Sequence, residues 1–483
     1  MVAGMRSIAA GDWDWRTAQR DWAARPVVGR LRVLRAARHL LAARTDALCG
    51  AISGELARNR ADTLVAEVLP LLAACTFLEH EAAGILKTRR LGRRGLPFWL
   101  AGVSSSVERV ALGRVLVIGP ANYPLFLPGV QVLQGLAAGN AVVWKPGAGG
   151  AAVAWVAAEA LREAGLPEGL LRVTEESVAA AQGVIAAGVD KVFFTGSAES
   201  GRRVMRQLAE TLTPCVAELS GCDAVVVLAS AELGRVVEAV AFGMRLNGSA
   251  TCMAPRRILL VGASEKRREE LIGRLIAAFA AVDAVRLGDA TATKLRGLVE
   301  EGVGDGARVH GVLDGLQRPI LLTGVRAGMG IAKADVFAPV VSLIEVADVE
   351  EAVRVQEACP FALTASVFGE EREARSVGAR MMVGTVVVND LIVPTADPRV
   401  PFGGRRGSGF GVTRGAEGLL EMTAMRTTAV RRGDSRRHFE ATTAGHEGLF
   451  EGVIAMAHGS GVRARITGLM RMVRAGKDLG AKR

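Results

Sequence analysis

The sequence predicts an α/β fold with parallel sheets, and three observations support this prediction. From Arg114 onward, short apolar runs typical of buried strands alternate with longer runs of helical periodicity. Before that point, apolar residues such as Leu31, Leu34 and Leu41 recur at helical spacing, which predicts a helical region over residues 1–90. Half of the 483 residues are hydrophobic, enough for two or three domains with a large core.

The alternating region divides into two successive units. The first contains five predicted strands, at 115–118, 141–144, 171–173, 191–194 and 216–219. The second contains five more, at 224–228, 258–261, 340–344, 365–368 and 385–388, and its longest helix is predicted over 265–281. A basic, glycine-rich stretch over 89–110 predicts a hairpin arm, and residues 433–483 form an appended tail.

Composition narrows the class of protein. The net charge of +11 permits contact with nucleic acid or an anionic membrane, but the chain lacks the interleaved aromatic residues that stack on bases, so we expect no nucleic-acid partner. Six cysteines without a C-x-x-C pair argue against a disulfide scaffold or a metal cluster. The first twenty residues contain no apolar run resembling a signal peptide. We therefore expect a cytoplasmic enzyme or binding protein.

One uncharged stretch, Val115–Trp144, is long enough to span a bilayer. It also contains Pro120, Pro124 and Pro128, which would leave backbone groups unsatisfied in lipid. The sequence therefore predicts a buried strand, a loop and a buried helix of a soluble core.

The candidate nucleophile is Cys252, which ends the stretch Asn247–Cys252 between a helical run and a strand-like run. A cysteine on a Gly/Ser turn between two buried elements is held by the scaffold while its approach side stays open. Taken alone, a lone cysteine is more often a small buried hydrophobe.

Two polar residues follow neighbouring predicted strands. Asn122 lies in a proline-stiffened loop at the carboxyl end of the first strand, where its amide can donate to a developing oxyanion; alternatively it is a turn residue. Lys145 closes the next strand, where it can reach a ribose or phosphate, or simply marks a solvated strand end.

Two further motifs carry chemistry. Gly196, Ser197 and Gly201 form a strand–turn–helix sequence that can hold a pyrophosphate at the helix N-terminus, although it is not the G-x-G-x-x-G fingerprint. Glu218 ends an apolar strand, where desolvation would raise its pKa toward the working range of a general base; an ion-paired strand end is the alternative.

Together these motifs resemble the aldehyde dehydrogenase superfamily, from about Trp22 to Arg431. The chain has the order and spacing of motifs that are typical of that family. The matching positions are Asn122, Lys145, Gly196, Gly201, Glu218, Cys252, the segment Asp335–Pro339 with Phe337, and the glycine-rich segments 401–404 and 408–411.

The resemblance implies oxidation of an aldehyde to a carboxylic acid with NAD or NADP. Cys252 would attack the aldehyde, the Asn122 amide and the Cys252 backbone N–H would hold the oxyanion, and Glu218 would activate the water that hydrolyses the thioester. The implied cofactor-binding residues are Lys145, Gly196, Ser197, Gly201, Asp335 and Phe337.

Among the positions that depart from the family pattern, three bear on the cofactor and the substrate. Asp335 stands where a glutamate usually contacts the nicotinamide ribose. Ala148 stands where many members carry an acid for the adenosine ribose, so NADP is expected to be tolerated alongside NAD. Ala121 replaces an aromatic residue common before the asparagine, which suggests a wider substrate tunnel.

The resemblance also implies the domain organisation. Residues 1–92 and 112–221 would form a Rossmann-type cofactor-binding domain and 222–422 an α/β catalytic domain. Residues 93–111 and 423–431 would form a small oligomerisation arm, giving a homo-oligomer (dimer or tetramer), and 432–483 a basic tail.

The tail carries apolar residues on one predicted helical face with basic residues around them: Val462, Ile466, Leu469, Met470 and Val473. Such a helix packs on the body or on a partner subunit, or lies peripherally on a membrane, in which case a long-chain or isoprenoid-like aldehyde is the expected substrate. Two alternatives remain: a CoA-acylating aldehyde dehydrogenase, and a catalytically silent binding protein on the same fold.

Overall fold

A computed structural model of the chain describes residues 14–52, 56, 58–434, 437–439 and 441–481. The chain divides into two compact units, one comprising Met1–Arg89 and Val107–Thr427 and the other Arg90–Ser106 and Thr428–Arg483. The predicted site residues all belong to the first unit.

The first unit begins with a layer of helices whose apolar faces pack together. Leu34 and Leu41, two helical turns apart, are fully buried, as the sequence pattern predicts. A π-helical segment, Leu64–Val68, joins the last two helices into one continuous rod. The helices are α1 (Trp15–Ala24), α2 (Val27–Ala43), α3 (Thr45–Gly50), α4 (Arg60–Thr63) and α5 (Leu69–Ile85).

A three-stranded sheet follows in the arm region. Its order is β1-β2-β20, with β1 at Arg89–Leu91, β2 at Val103–Ala111 and the late strand β20 at Thr423–Arg431. Arg426 on β20 forms an ion pair with Glu108 on β2, so charge pairing accompanies the strands predicted as an arm.

The first large sheet has six strands in the order β19-β7-β6-β3-β4-β5. All pairs are parallel except that between β19 and β7. Its strands are β3 (Arg114–Ile118), β4 (Ala141–Lys145), β5 (Leu171–Val173), β6 (Lys191–Gly196), β7 (Cys215–Leu219) and β19 (Gly409–Phe410). The connecting helices are α6 (Phe126–Ala138), α7 (Ala151–Glu163), α8 (Val178–Ala186) and α9 (Ala198–Ala209).

The second large sheet has seven strands in the order β11-β13-β14-β9-β8-β16-β17, and only β11 is antiparallel to its neighbour. Its strands are β8 (Asp223–Val227), β9 (Pro255–Val261), β11 (Arg308–His310), β13 (Ile320–Thr323), β14 (Val340–Val346), β16 (Thr364–Phe368) and β17 (Thr385–Val388). Two strand pairs lie beside it, β10 (Val285–Arg286) with β12 (Leu316–Gln317) and β15 (Phe361–Ala362) with β18 (Arg405–Arg406).

Five helices accompany the second sheet: α10 (Leu233–Arg245), α11 (Glu265–Ala280), α12 (Asp289–Gly304), α13 (Val349–Ala358) and α14 (Glu371–Gly378). A later helix, α15 (Gly415–Glu421), packs instead against α5 and α6. The prediction that α11 would be the longest is wrong, because α12 has the same 16 residues.

The second unit ends in two antiparallel helices, α16 (Glu447–His458) and α17 (Gly461–Ala481). Gly452 and Gly468 face the opposite helix, and a side chain at either position would collide with the partner's backbone. The two helices therefore pack through small residues, which leaves the larger apolar side chains of α17 on its exposed face.

The α/β class is confirmed, and all ten predicted strands are present within three residues of their predicted ends. The uncharged stretch Val115–Trp144 forms buried elements of the first sheet and its first helix. Among the described residues, one helical stretch, Arg60–Ile85, has the length and apolar composition to cross a membrane, but it carries the buried carboxylate of Glu67.

Glu67 ties this helix to the first sheet. Its carboxylate accepts hydrogen bonds from Arg58 Nη2 at 2.8 Å and from the backbone N–H groups of Leu125 and Phe126 at 3.2 and 2.6 Å. The Arg58 guanidinium lies 5.2 Å from the centre of the Tyr123 ring. A fully buried ion pair thus fixes the start of α6 and the loop that carries Asn122.

Replacing Glu67 with alanine is expected to lower the free energy of unfolding by about 3–5 kcal/mol, because Arg58 would remain buried without its partner. Urea denaturation followed by tryptophan fluorescence measures this loss. Glu163→Ala, which removes the partner of Arg44 in an exposed ion pair, is the control and should change stability little. Equal effects of the two variants would contradict the assignment.

Candidate active site

One cavity of about 360 Å³ brings together seven of the nine residues that the sequence singled out. They are Asn122, Gly196, Ser197, Glu218, Cys252, Asp335 and Phe337. Four come from the carboxyl ends of β3, β6 and β7 or from the loops just after them, which is where open α/β sheets bind ligands. Lys145 and Gly201 do not line this cavity.

The turn before Cys252 has an unusual backbone. Asn247, Gly248 and Ser249 all adopt positive φ, at 51°, 58° and 62°. Only glycine enters this region without cost, so the two side-chain residues hold strain that the surroundings must offset. Arg256 supplies part of that support, because its Nη1 and Nη2 donate to the hydroxyl and carbonyl oxygens of Ser249 at 2.8 and 2.6 Å.

Asn122 is joined to the same turn by side-chain hydrogen bonds. Its Nδ2 donates to the backbone carbonyl of Ala250 at 2.9 Å, and Asn247 Nδ2 donates to the backbone carbonyl of Asn122 at 3.0 Å. Next to it, the Tyr123 hydroxyl lies 2.7 Å from Thr251 Oγ1. Since an amide carries two N–H groups, one can hold Asn122 against the turn while the other serves a ligand.

Cys252 is partly exposed, at the cavity wall. Desolvation raises the pKa of its thiol well above the usual range, and the nearby carboxylates of Glu218, Asp223 and Asp335 raise it further. The Arg414 charge opposes this rise. The thiol is therefore protonated at neutral pH, and a base is needed before the sulfur can act as a nucleophile.

Glu218 supplies a carboxyl group of the kind required. It lies at the buried end of β7, opposite Gly409 of β19. Thr413 Oγ1 donates to Oε2 at 3.2 Å, while Oε1 has no hydrogen-bond partner. Burial raises the pKa of this carboxyl, against the Arg414 charge and the Thr413 hydrogen bond.

The sequence-based alternative for Glu218, an ion-paired strand end, does not fit this geometry. Within the described ranges, no basic nitrogen lies within 4.0 Å of its carboxylate. A buried carboxyl group with one free oxygen is instead suited to take up and release a proton.

The other end of the cavity fits a dinucleotide. Ser197 caps α9, its Oγ accepting from the Ser200 N–H at 3.2 Å, so the positive end of the helix dipole faces the cavity. Asp335 Oδ1 is buried and has no partner, which leaves an acceptor free for a ribose hydroxyl. The residues present therefore fit the cofactor that the resemblance implies.

Sequence reasoning missed two residues on α12. Thr291 and Lys294 line the cavity, and Lys294 Nζ donates to the Asp335 carbonyl at 2.5 Å. The sequence around them shows only helical periodicity, so nothing local indicates that this helix reaches the site. Thr413, which contacts Glu218, and Arg414 were also missed, because their local sequence indicates only a glycine-rich loop.

Lys145 and Gly201 lie nearby with different surroundings. Lys145 is buried, so it is not a solvated strand end; burial lowers its pKa, and the Glu176 charge opposes this. Glu176 also accepts from the backbone N–H groups of Gly149 and Ala151, which places a carboxylate close to Ala148, the position that lacks one. On α9, a Cβ at Gly201 would lie 2.8 Å from Leu219, so this glycine allows the helix to pack closely on β7.

Comparison with known sequences places this geometry in a family. The profile of the aldehyde dehydrogenase family matches residues 14–428. The chain is 29% identical over 421 residues to 4,4'-diapolycopene aldehyde oxidase of Methylomonas sp, covering 84% of this chain and 78% of that protein. It is 31% identical over 458 residues to a proposed succinate-semialdehyde dehydrogenase [NADP(+)] 2 of Mycobacterium ulcerans, covering 89% and 86% of the two chains.

Comparison with solved structures supports the same family. The crystal structure of a Mycobacterium tuberculosis aldehyde dehydrogenase complexed with NAD+ superposes with a TM-score of 0.79 at 26% identity, covering 87% of this chain and 89% of that chain. Relatives thus include a complex with NAD+ and a protein named for NADP+, which confirms the expectation of NAD or NADP as cofactor. The chain belongs to the aldehyde dehydrogenase family and is an NAD(P)-dependent aldehyde dehydrogenase.

Proposed function

We propose that the enzyme oxidises its aldehyde to a carboxylic acid through a covalent intermediate on Cys252. The supporting observation is that Cys252, Glu218 and Asn122 line one cavity together with the residues suited to a dinucleotide. A soft nucleophile, a buried base and a positioned amide are the three groups that acyl chemistry at sulfur requires.

In the first step, the Cys252 thiol loses its proton to Glu218, and the thiolate attacks the carbonyl carbon. A C–S bond forms while the carbonyl π bond becomes an oxyanion, giving a thiohemiacetal. The second N–H of the Asn122 amide and the Cys252 backbone N–H are the donors to this oxygen. Because the Asn122 amide is fixed against the Ala250 carbonyl, it needs little reorganisation as the charge develops.

NAD or NADP, when bound, supplies the acceptor for the hydride whose removal turns the thiohemiacetal into a thioester. We propose that Lys145, Gly196, Ser197, Gly201, Asp335 and Phe337 hold the cofactor. Among these, Ser197 offers the helix N-terminus to the pyrophosphate and Asp335 offers a free carboxylate oxygen to a ribose.

In the last step, Glu218, which has released the thiol proton to solvent, takes a proton from water, and the water oxygen attacks the thioester carbon. The C–S bond breaks, the carboxylic acid leaves and Cys252 is regenerated. The unpartnered Oε1 of Glu218 provides the acceptor for that proton. Burial keeps the basicity of this carboxylate above that of an exposed glutamate.

The organisation around this site is part of the proposal. Residues 1–92 with 112–221 serve as the cofactor-binding domain and 222–422 as the catalytic domain, while 93–111 and 423–431 pair subunits of a cytoplasmic homo-oligomer. The sheet β1-β2-β20 supports the last assignment, since it brings the two arm segments together.

A long-chain or isoprenoid-like aldehyde is proposed as the substrate, taken up at a membrane surface. Ala121, a small side chain, lines the cavity beside Asn122. The apolar residues of α17 are exposed, and Arg463, Arg465 and Arg474 around them are exposed as well. The relative from Methylomonas is named for oxidation of a diapolycopene aldehyde, whereas the relative from Mycobacterium ulcerans is named for a short anionic aldehyde.

Replacing Cys252 with alanine is expected to lower kcat/KM for aldehyde oxidation roughly 10⁴-fold or more, because the nucleophile is lost. Glu218→Gln should slow both the first formation of reduced cofactor and the steady-state turnover, since the same carboxylate accepts the proton of the thiol and that of the attacking water. Absorbance of the reduced cofactor in stopped flow measures both effects. Cys215→Ala, on the same strand as Glu218, is the control.

Two results would overturn this mechanism. Turnover by Cys252→Ala at the rate of the unaltered enzyme would exclude the covalent intermediate. Product formation only when coenzyme A is added, with an acyl-CoA released, would favour the acylating reaction instead.

Replacing Met470 with aspartate should weaken binding to vesicles of phosphatidylcholine and phosphatidylglycerol roughly tenfold, because the change removes an exposed apolar side chain and adds a repelled charge. Thr467→Asp adds the same charge on the polar side of α17 and should weaken binding less. Co-sedimentation measures binding, and kcat/KM for retinal and for succinate semialdehyde ranks the substrate classes. Failure of the unaltered enzyme to bind vesicles, or oxidation of succinate semialdehyde alone, would contradict the proposal.

A further inference from the structure

Arg414 is a buried arginine held in a strained backbone. It precedes α15 with φ 62° and ψ 175°, a combination that is favourable for glycine alone. Only 4% of the residue is exposed. A long cationic side chain in the interior, on a costly backbone, requires a compensating role.

The contacts of the guanidinium do not neutralise its charge. Nη1 donates to the Thr395 carbonyl at 2.5 Å, and Cζ lies 4.5 Å and 5.6 Å from the ring centres of Phe402 and Phe126. Nε has no hydrogen-bond partner. In the part of the chain that the structure describes, no carboxylate oxygen lies within 4.0 Å of it. The positive charge is therefore available to act over a longer distance.

The Arg414 charge acts on Glu218 and Cys252, the two acidic groups of the proposed reaction. The residue before it, Thr413, donates to Glu218 Oε2, and Glu218 Oε1 is without a partner. The Arg414 charge lowers the pKa of Glu218 and that of Cys252, in both cases against desolvation. Both groups become anionic in the proposed mechanism.

We propose that Arg414 is a positioning residue whose unpaired guanidinium charge stabilises the Glu218 carboxylate and the Cys252 thiolate. This inference rests on the proposed roles of Cys252 and Glu218. Arg414 need not contact the substrate, because a charge in a low-dielectric interior acts across several ångströms. The cation–π contacts with Phe126 and Phe402 hold the guanidinium in place without cancelling its charge.

Several other charged or titratable groups surround Cys252 and define the background. The carboxyl groups of Glu218, Asp223 and Asp335 raise the pKa of the thiol, and the Arg414 charge lowers it. Arg256 and Tyr123 also interact electrostatically with Cys252. Since Arg414 stabilises the thiolate, its removal must raise the pKa of Cys252. The thiolate fraction at any pH below that pKa then falls.

The test is the pH dependence of Cys252 alkylation by iodoacetamide in the cofactor-free protein, followed by peptide mass spectrometry. Arg414→Met and Arg414→Gln remove the charge, and the glutamine keeps a donor for the Thr395 carbonyl. Both should move the alkylation profile up by about one pH unit, so that the rate at pH ~8 falls about tenfold. Arg414→Lys keeps the charge and should stay close to the unaltered enzyme.

Arg30→Met is the matched control, because Arg30 is also buried but donates to the carbonyls of Ala137, Ala23 and Arg25 in the helical layer. It should leave the profile unchanged. Glu218→Gln removes a neighbouring negative charge and should move the profile in the opposite direction. Circular dichroism establishes which variants are folded. One folded variant without the charge, Arg414→Met or Arg414→Gln, is enough for the test.

An unchanged profile in a folded neutral variant would overturn the proposal. The proposal also fails if that variant raises KM only for aldehydes that carry a carboxylate while alkylation is unaffected, because Arg414 would then bind substrate. Failure of the proposed function is a separate result: Cys252→Ala would still oxidise aldehydes, whatever the alkylation profile of the Arg414 variants.

Discussion

The left-handed turn Asn247–Ser249 is the constraint on which the site depends. Consecutive positive φ angles cost free energy, and the turn persists because Asn122, Asn247 and Arg256 tie it to the neighbouring loops. The same hydrogen bonds hold the amide of Asn122 in the cavity that Cys252 also lines. In the proposed mechanism, strain in the loop before Cys252 and preorganisation of the Asn122 amide are thus two consequences of one network.

Burial of charge shapes the rest of the site. Glu218, Arg256 and Arg414 are nearly inaccessible, and each would be costly in an apolar interior without compensation. Arg256 recovers part of the cost through three hydrogen bonds to oxygen atoms of neighbouring loops, while its Nε has no partner. Glu218 and Arg414 make fewer hydrogen bonds, which in the proposed mechanism leaves proton affinity and charge available for catalysis.

The end of the cavity that we propose holds the dinucleotide follows a different principle. It relies on backbone groups and helix ends: Ser197 caps α9, and Gly201 lets that helix approach β7 closely. Glu176 shows how a neighbouring loop can place a carboxylate close to Ala148, a position that lacks one.

The sequence by itself determined the α/β class, the ten main strands and the candidates Asn122, Glu218 and Cys252, because apolar periodicity and motif order are local properties of the chain. Only the tertiary structure decided which distant segments meet. It set β19 antiparallel against β7, brought Thr413 to Glu218 from 195 residues away, and directed α12 with Lys294 into the cavity. It also buried Arg414, next to the Thr413 that contacts Glu218, whereas the local sequence indicates only a glycine-rich loop. These contacts depend on how whole layers pack, and that free energy is a property of the complete chain rather than of any short stretch.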